Sequence, residues 1–374
     1  MQKKEKVVIS AINFFEGGPL SVLKDCLNFV NESAYLNSYE FTALVHKIEL
    51  FNLEEYSNIT FVEFSKSRKS YFYRLYYEYI YFKKFAKDEE ISFWFSLHDM
   101  TPSVGGIPQA VYCHNPSPFN SLNFKDLYIQ PTQFFFRLFY RFLYQINIKK
   151  NKYVIVQQLW MKNRFVEMFD LNKKQILVAP AQIIPISSKY LDSMTKEKDK
   201  KDKVFFFPTF PRPFKNIEVI CEAAELVAKE NKNFRIIITI DGSENKYAKS
   251  ITKKYDGNNN IDFIGLIKRE EVYKYYSEVD CLIFPSKLET WGLPISEFKQ
   301  FNKSMLIADL PYAKETVGEY DYVNFFNPTD AKQLAKLIVD FINDEIKYET
   351  TVAVDYDTEL VKGWGELFEM LLKK

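Results

Sequence analysis

The chain has 374 residues, 47% of them hydrophobic and 26% charged, which is globular material with length enough for two domains, each with a core of its own. Fifty Lys and Arg against 49 Asp and Glu leave a formal charge of +1. That balance excludes the overall basic field that would hold a polyanion, so nucleic acid is not an expected partner.

At the start, lysines precede Val7-Val8-Ile9, but no small-residue cleavage site follows the apolar run, so it reads as a first buried strand rather than a signal peptide. No segment offers the ~20 uninterrupted apolar residues that span a bilayer, and a cytoplasmic protein is expected. The first half predicts strands near 6–12, 40–46, 59–64, 91–97, 109–113, 153–157 and 175–179. Between the first two, Leu20, Leu23, Leu27 and Val30 recur at helical spacing and make a βα unit. Ile186 to Lys203, with its run Lys-Glu-Lys-Asp-Lys-Lys-Asp-Lys at 196–203, predicts a solvated connection. After it the alternation restarts, with strands near 204–208, 234–241, 261–264, 280–284, 304–308 and 323–326. Ile220, Ala223, Ala224 and Val227 mark the first helix face. The expected organisation is an N-terminal Rossmann-like domain over 1–185, a linker over 186–203, and a second such domain over 204–355. A helix within 356–374 can pack back on the first domain. Cys26, Cys113, Cys221 and Cys281 stand far apart with no C-x-x-C pair, so they predict buried thiols rather than a disulfide framework or a metal cluster.

Short Val-, Ile- and Phe-rich runs alternating with helices make parallel sheets covered on both faces. Two such halves are expected to leave a cleft between them, with ligands beyond the carboxyl ends of the strands. The most informative loop there follows Cys281-Leu282-Ile283-Phe284 and runs from Pro285 to Glu297. Pro294 suits the first turn of a helix, so Thr290, Trp291, Gly292 and Leu293 would present backbone N–H groups at a positive helix end, a seat for phosphate. Glu289 stands ahead of that seat. Glu297, one turn into the helix, can accept bonds from vicinal hydroxyls.

The stretch 285–297 resembles the E-x7-E signature of the family-4 retaining glycosyltransferases, whose GT-B fold sets two Rossmann-like domains face to face. The resemblance implies that Glu289 contacts the transferred sugar and Glu297 the donor ribose. It also implies pyrophosphate contacts from Arg212 and Lys215, in the run Phe207 to Asn216 that ends the first strand of the second domain. Gly17-Gly18-Pro19 matches the family's glycine-rich first loop, where backbone approaches phosphate closely. His114, at the end of Ala110-Val111-Tyr112-Cys113-His114-Asn115, matches a family histidine beside the reacting sugar. By the same resemblance Asp241, in Asp241-Gly242-Ser243-Glu244, lies near the nucleotide, and Gly265, in Ile264-Gly265-Leu266, lies where relatives hold the base. His98 and Asp99, after the strand near 91–97, and Asn115 are expected on the acceptor side, while His46 is expected to be structural.

The activity so implied is transfer, with retention of configuration, of a hexose-type sugar from a nucleotide-sugar donor to a saccharide or lipid-linked acceptor. Assembly of bacterial surface polysaccharide is the expected setting, and no metal and no cofactor is required. Two aromatic stretches, from Tyr71 to Tyr77 and from 134 to 144, interleave Arg with rings. They can sit at a lipid interface, giving a peripheral contact with the inner face of the membrane. They can also be core helices with snorkelling cations, the preferred reading in a chain so rich in aromatics. Two rivals remain: a sugar-nucleotide-binding protein without turnover, and a metal-dependent GT-A transferase using the D-x-D spacing of Asp355-Tyr356-Asp357.

Overall fold

The computed structural model describes residues 3–119, 139–192, 202–230, 233–356 and 360–373. It divides into two units. The first takes in Met1–Phe119, Leu138–Pro180 and Tyr356–Lys374, and the second includes Ala181–Asp355.

The first unit holds seven parallel strands: β1 (Glu5–Ala11), β2 (Tyr39–Val45), β3 (Ile59–Glu63), β4 (Ile91–Ser96), β5 (Gln109–Tyr112), β6 (Tyr153–Val156) and β7 (Ile176–Val178). Their order is β3-β2-β1-β4-β5-β6-β7, with Val7 paired to Phe41 on one side and to Phe93 on the other. Val7, Val8 and Ile9 are all buried, because helices cover both faces of the sheet. Leu23, Leu27 and Val30 of the helix Gly17–Glu32 pack on one face, and Phe82 and Ala86 pack with Trp94 on the other. The last helix, Gly363–Leu372, belongs to this unit. Its Phe368 is stacked on Phe29 and meets Phe41 and Phe95 edge-on.

The second unit holds β8 (Lys203–Phe207), β9 (Phe234–Ile238), β10 (Ile261–Phe263), β11 (Cys281–Phe284), β12 (Ser304–Ala308) and β13 (Val323–Phe326), again all parallel, in the order β10-β9-β8-β11-β12-β13. Ile220, Ala223, Ala224 and Val227 of the helix Ile217–Ala228 are buried together. All thirteen strands fall within three residues of their expected limits. This is the expected α/β class: two doubly wound parallel sheets.

The units divide at Pro180 and Ala181, five residues before the expected limit at 185. The start of the expected linker packs into the second unit, because Gln300 accepts a bond from the Ile186 backbone N–H (3.0 Å) and Tyr190 meets Tyr273 edge-on. Residues 193–201 of that linker lie outside the described residues, as do 134–138 of the second aromatic stretch. The first aromatic stretch departs from the core reading. From Tyr71 to Ala86 it buries Arg74, Glu78, Phe82 and Ala86 and leaves Phe72 and Ile80 76% and 64% exposed. Inside, Arg74 Nη2 bonds the His98 carbonyl (3.1 Å), while the Glu78 carboxyl, 3.3 Å from the His98 ring, has no hydrogen-bond partner among the described residues. The four cysteines are free and buried. No helix among the described residues is long and apolar enough to cross a membrane.

Candidate active site

In each sheet one pair of neighbouring strands sends its connections to opposite sides. These pairs are β1 and β4 in the first unit and β8 and β11 in the second. Such reversal points open a crevice at the carboxyl ends of the strands, where α/β proteins bind ligands. The residues singled out from the sequence cluster at both.

In the second unit the loop after β8 and the loop after β11 are clipped together. Asn216 takes a left-handed backbone (φ +58°), and its buried side-chain amide donates to the carbonyls of Pro285 (3.2 Å) and Pro328 (2.7 Å). The backbone N–H of Lys287 donates to the Phe214 carbonyl (2.7 Å). These bonds set Lys215 opposite Glu289, with Nζ 2.5 Å from Oε1 and both side chains more than four-fifths covered. A cation and a carboxylate thus share the mouth of the crevice, and partial burial strengthens their interaction beyond that of a surface pair. The Arg212 guanidinium, three residues before Lys215, lies over the Phe210 ring, 5.1 Å from the centroid.

Beyond Glu289 and the half-buried Thr290, the chain turns at Gly292 (φ +87°). There a Cβ would come within 3.2 Å of Ile295 Cδ1, so the turn needs glycine. The helix Leu293–Lys299 begins at once, with Pro294 in its first turn as expected and Leu293 partly exposed. Trp291 is not a ligand-facing ring. It is buried, donates from Nε1 to Ser296 Oγ (2.9 Å), and its carbonyl accepts from Thr316 Oγ1.

Glu297 is buried on the same helix, and its carboxylate is already engaged. Oε1 accepts from Arg269 Nη2 (2.9 Å) and from the Tyr273 hydroxyl (3.4 Å), and Oε2 accepts from Tyr276 (3.3 Å). Burial raises its pKa above the ordinary carboxylate value, with Arg269 and the two hydroxyls pulling the other way. Two carboxylate oxygens offer about four acceptor positions, so Oε2 keeps capacity for another donor. Arg269, Tyr273 and Tyr276 escaped the sequence reading; their i, i+4 and i+3 spacing on one helix was the available signal.

Asp241 and Gly265, after β9 and β10, meet each other. A Cβ at Gly265 (φ +74°) would fall 2.9 Å from Asp241 Oδ2. Asp241 accepts from the Ser243 N–H (2.8 Å), and that residue's bonds hold its carboxyl below the usual value. A concavity of about 630 Å³ in this unit, between Arg235, Tyr255 and Glu278, contains none of Lys215, Glu289 or Glu297, so size alone does not mark the chemistry.

In the first unit Gly17 and Gly18 open the helix after β1, Gly17 with φ +67°, and the space where their Cβ atoms would stand is open. His98 and Asp99, expected to line the acceptor side, are instead buried supports. His98 Nε2 lies 3.2 Å from Ser10 Oγ. Asp99 Oδ1 accepts from the backbone N–H groups of His114 (2.6 Å) and Asn115 (3.0 Å) and from the Tyr144 hydroxyl (2.8 Å), while Oδ2 accepts from Tyr140 (3.1 Å). Tyr144 also donates to the Asn115 carbonyl (3.1 Å). Asp99 therefore fixes the loop after β5, at a left-handed backbone of φ +69°.

The His114 ring stacks on Tyr112, centroids 4.2 Å apart, with Phe14 against it edge-on. Although the residue keeps some exposure, its ring is covered, and its Nε2 is buried with no hydrogen-bond partner among the described residues. Burial pushes the imidazole pKa down to about 4, against the opposing pull of Asp99 and a bond to the Leu97 backbone, so the ring is neutral at pH 7. His98 is held well below its usual value, by burial first and by Arg74 second. His46 lies against Ser67 (Nδ1 to Oγ 3.0 Å) and is buried. Asp357 of the D-x-D spacing lies outside the described residues, and among the described residues no three His, Cys, Asp or Glu are grouped to hold a metal.

Residues 191–354 match the family model described as glycosyl transferases group 1. The chain is 21% identical over 259 residues to the O-antigen chain mannosyltransferase RfbU of Salmonella typhimurium, covering 68% of this chain and 67% of that protein. Among solved structures it resembles a glycosyltransferase from Rickettsia africae (TM-score 0.63, 14% identity, 91% of this chain and 88% of that one). It also resembles Anabaena Alr3699/HepE in complex with UDP and glucose (TM-score 0.61, 14% identity, 91% and 90%). These likenesses carry the fold, that of the GT-B glycosyltransferases. With residues 191–354 matching that model, the chain is a glycosyltransferase.

Proposed function

We propose that this enzyme is a retaining transferase of the family-4 type, moving a hexose from a nucleoside-diphosphate sugar to a saccharide or lipid-linked acceptor in bacterial surface-polysaccharide assembly. The observation that carries this reading is the Lys215–Glu289 pair held over the reversal point of the second sheet. The ammonium stabilises the departing diphosphate, which competes with Glu289 for it and releases that carboxylate to the transferred sugar. Glu297, oriented by Arg269, Tyr273 and Tyr276, receives a ribose hydroxyl on Oε2. The loop from Thr290 to Leu293 seats a phosphate oxygen, Arg212 adds charge on the pyrophosphate side, and the Asp241 and Gly265 loops flank the nucleoside. The second unit is thus read as the donor domain and the first as the acceptor domain.

His114 stands beside the reacting carbon in this scheme. A neutral ring adds no charge to oppose an oxocarbenium-like centre, and its held carbonyl offers a dipole that favours one. Gly17 and Gly18 let backbone approach phosphate or acceptor. The mannosyltransferase similarity and the UDP and glucose of the Anabaena neighbour support the substrate class, and free buried cysteines suit a cytoplasmic setting.

The test is a thermal-shift screen of UDP-, GDP- and ADP-sugars, followed by radiolabel transfer to membrane extract with the stabilising donor. At 100 times its Kd a donor stabilises by about 2.7 kcal/mol. The reading requires one donor to stabilise the protein, Glu297→Ala to abolish that shift, and label to appear in an acceptor. Donor binding without transfer to any acceptor would leave a sugar-nucleotide-binding protein instead.

A further inference from the structure

Where a helix lies on a protein core it ordinarily turns its charges outward and its rings inward. The segment from Tyr71 to Lys87 does the reverse along much of its length. The helix Tyr71–Tyr76, one π turn at Tyr77–Tyr81 and the helix Phe82–Asp88 follow one another without a break. Their inner side carries Arg74 and Glu78, both buried, while Phe72 is 76% exposed, Ile80 64% and Tyr76 41%. The inner groups face the interior of the unit: Arg74 bonds the His98 carbonyl, and the Glu78 carboxyl lies beside Arg74 and the His98 ring. Among the described residues nothing comparable accounts for a phenylalanine and an isoleucine held in water at about 25 cal/mol for each Å² of apolar surface.

The charge along the segment that carries these rings is mostly positive. Between Ser65 and Lys87 the sequence holds seven Lys or Arg and a single carboxylate, Glu78; exposed carboxylates resume at its edges, at Glu63 and at Asp88, Glu89 and Glu90, the last two paired with Lys6 and Lys3. Glu78 is inside, whereas Lys66, Arg68, Lys69, Lys83, Lys84 and Lys87 are exposed, three at each end of the exposed rings. A chain whose formal charge is only +1 thus concentrates cations around its exposed apolar residues. Lys83 further lines a groove of about 760 Å³ together with Lys150 and Lys152. Apolar side chains flanked by cations, with no exposed carboxylate between them, match an interface where hydrocarbon begins beneath anionic headgroups.

We infer that Phe72, Tyr76 and Ile80, flanked by Lys66, Lys69, Lys83 and Lys84, form the face by which the first unit docks on an anionic lipid bilayer. The inference names the surface that would bring the enzyme to a lipid-linked acceptor, and to that extent it rests on the proposed function. Its test requires no turnover, so the two can fail separately.

The full chain is sedimented with vesicles of phosphatidylcholine alone and of phosphatidylcholine mixed with phosphatidylglycerol. Binding to the mixed vesicles is expected to exceed binding to the neutral ones by roughly tenfold or more. It should fall as salt shortens the screening length from ~10 Å at 0.1 M to ~3 Å at 1 M. Lys83→Glu with Lys84→Glu should lower the mixed-vesicle partition roughly tenfold, and Phe72→Ser with Ile80→Ser should lower it at unchanged salt sensitivity. All four side chains are exposed, so both variants are expected to melt like the parent, which circular dichroism checks. Equal partition onto both vesicles, no partition onto either, or full binding by the Phe72→Ser, Ile80→Ser variant would overturn the inference. So would a dimer in sedimentation that the same variant dissociates, since the face would then belong to a second copy of the chain.

Discussion

Asp99 offers the sharpest test of how the first unit is built around its site. Its carboxylate receives four bonds, from the N–H groups of His114 and Asn115 and from the hydroxyls of Tyr144 and Tyr140. In Asp99→Asn the amide oxygen can keep the three donors at the Oδ1 position, but the NH2 group then faces the Tyr140 hydroxyl, which must turn to accept. A hydrogen bond to a charged group contributes about 1.5–3 kcal/mol net and a neutral one about 0.5–1.5. Losing charge assistance at four bonds therefore costs on the order of 3–4 kcal/mol, a large share of the ~5–15 kcal/mol that keeps a domain folded. Urea unfolding at pH 7 should show that loss as a lower midpoint at unchanged slope. At a temperature where the variant stays folded, kcat for sugar transfer should fall roughly tenfold with the donor KM unchanged, because the loosened His114 loop lies outside the proposed donor domain. Tyr144→Phe, which removes the bonds to both Asp99 and the Asn115 carbonyl, is the control and should cost less than Asp99→Asn. If Asp99→Asn unfolds within 1 kcal/mol of the parent and turns over within twofold of it, Asp99 does not position the loop.

Three further outcomes follow from the geometry. Lys215→Ala should lower kcat by roughly 10²–10³-fold, as removal of a transition-state donor does, while Glu289→Gln keeps donor binding and loses turnover; a loss under tenfold for Lys215→Ala in steady-state transfer would remove it from the leaving-group role. Arg269→Ala leaves the buried Glu297 carboxylate without its cation. The guanidinium is half exposed, so the cost is about 1–2 kcal/mol rather than that of a fully buried pair. Because burial already raises the Glu297 pKa, the variant's deficit should be larger at pH 8 than at pH 5, read as the difference in Tm between variant and parent. Glu78 is pushed up to about 8 by burial, against Arg74. From its ordinary value of 4.5 up to about 8 the folded chain keeps a proton that the unfolded chain releases, so this group's contribution to stability falls by about 1.4 kcal/mol per pH unit. Glu78→Gln cannot titrate, so its stability relative to the parent should improve between pH 6 and pH 8, and a constant difference in urea midpoint would refute the assignment.

The sequence disclosed the sheets because parallel strands covered on both faces must be apolar along their whole length. Val7-Val8-Ile9 and Cys281-Leu282-Ile283-Phe284 can scarcely be read as anything else. It disclosed much of the proposed donor site because that site is local in the chain: Glu289, Gly292, Pro294 and Glu297 lie within nine residues. The first unit resisted for the opposite reason. Asp99 meets tyrosines 41 and 45 residues away, and its left-handed backbone is stabilised by bonds that exist only once β4 and β5 are paired. The helical face from Tyr71 resisted for a third reason. With rings on every side, its periodicity cannot choose an inner face, and the choice falls to Arg74, whose partner His98 comes from a different strand end.

That last choice ties the surface of the first unit to its interior. Arg74 cannot turn outward without leaving the His98 carbonyl and the Asp99 network unsupported, and while it points inward with Glu78, Phe72 and Ile80 must point out. The exposed rings are thus fixed by the same contacts that hold the His114 loop. Replacing Arg74 with Met keeps much of the helix packing but removes the bond to the His98 carbonyl and the cation beside Glu78 and Asp99. Leaving such groups unpaired in the interior costs about 1–3 kcal/mol for each polar group and more for charge. The coupling predicts that Arg74→Met lowers both turnover and partition onto anionic vesicles, whereas Phe72→Ser with Ile80→Ser lowers partition alone. Were Arg74→Met to leave both at the parent's level in a folded protein, the interior network would be independent of both the loop and the face.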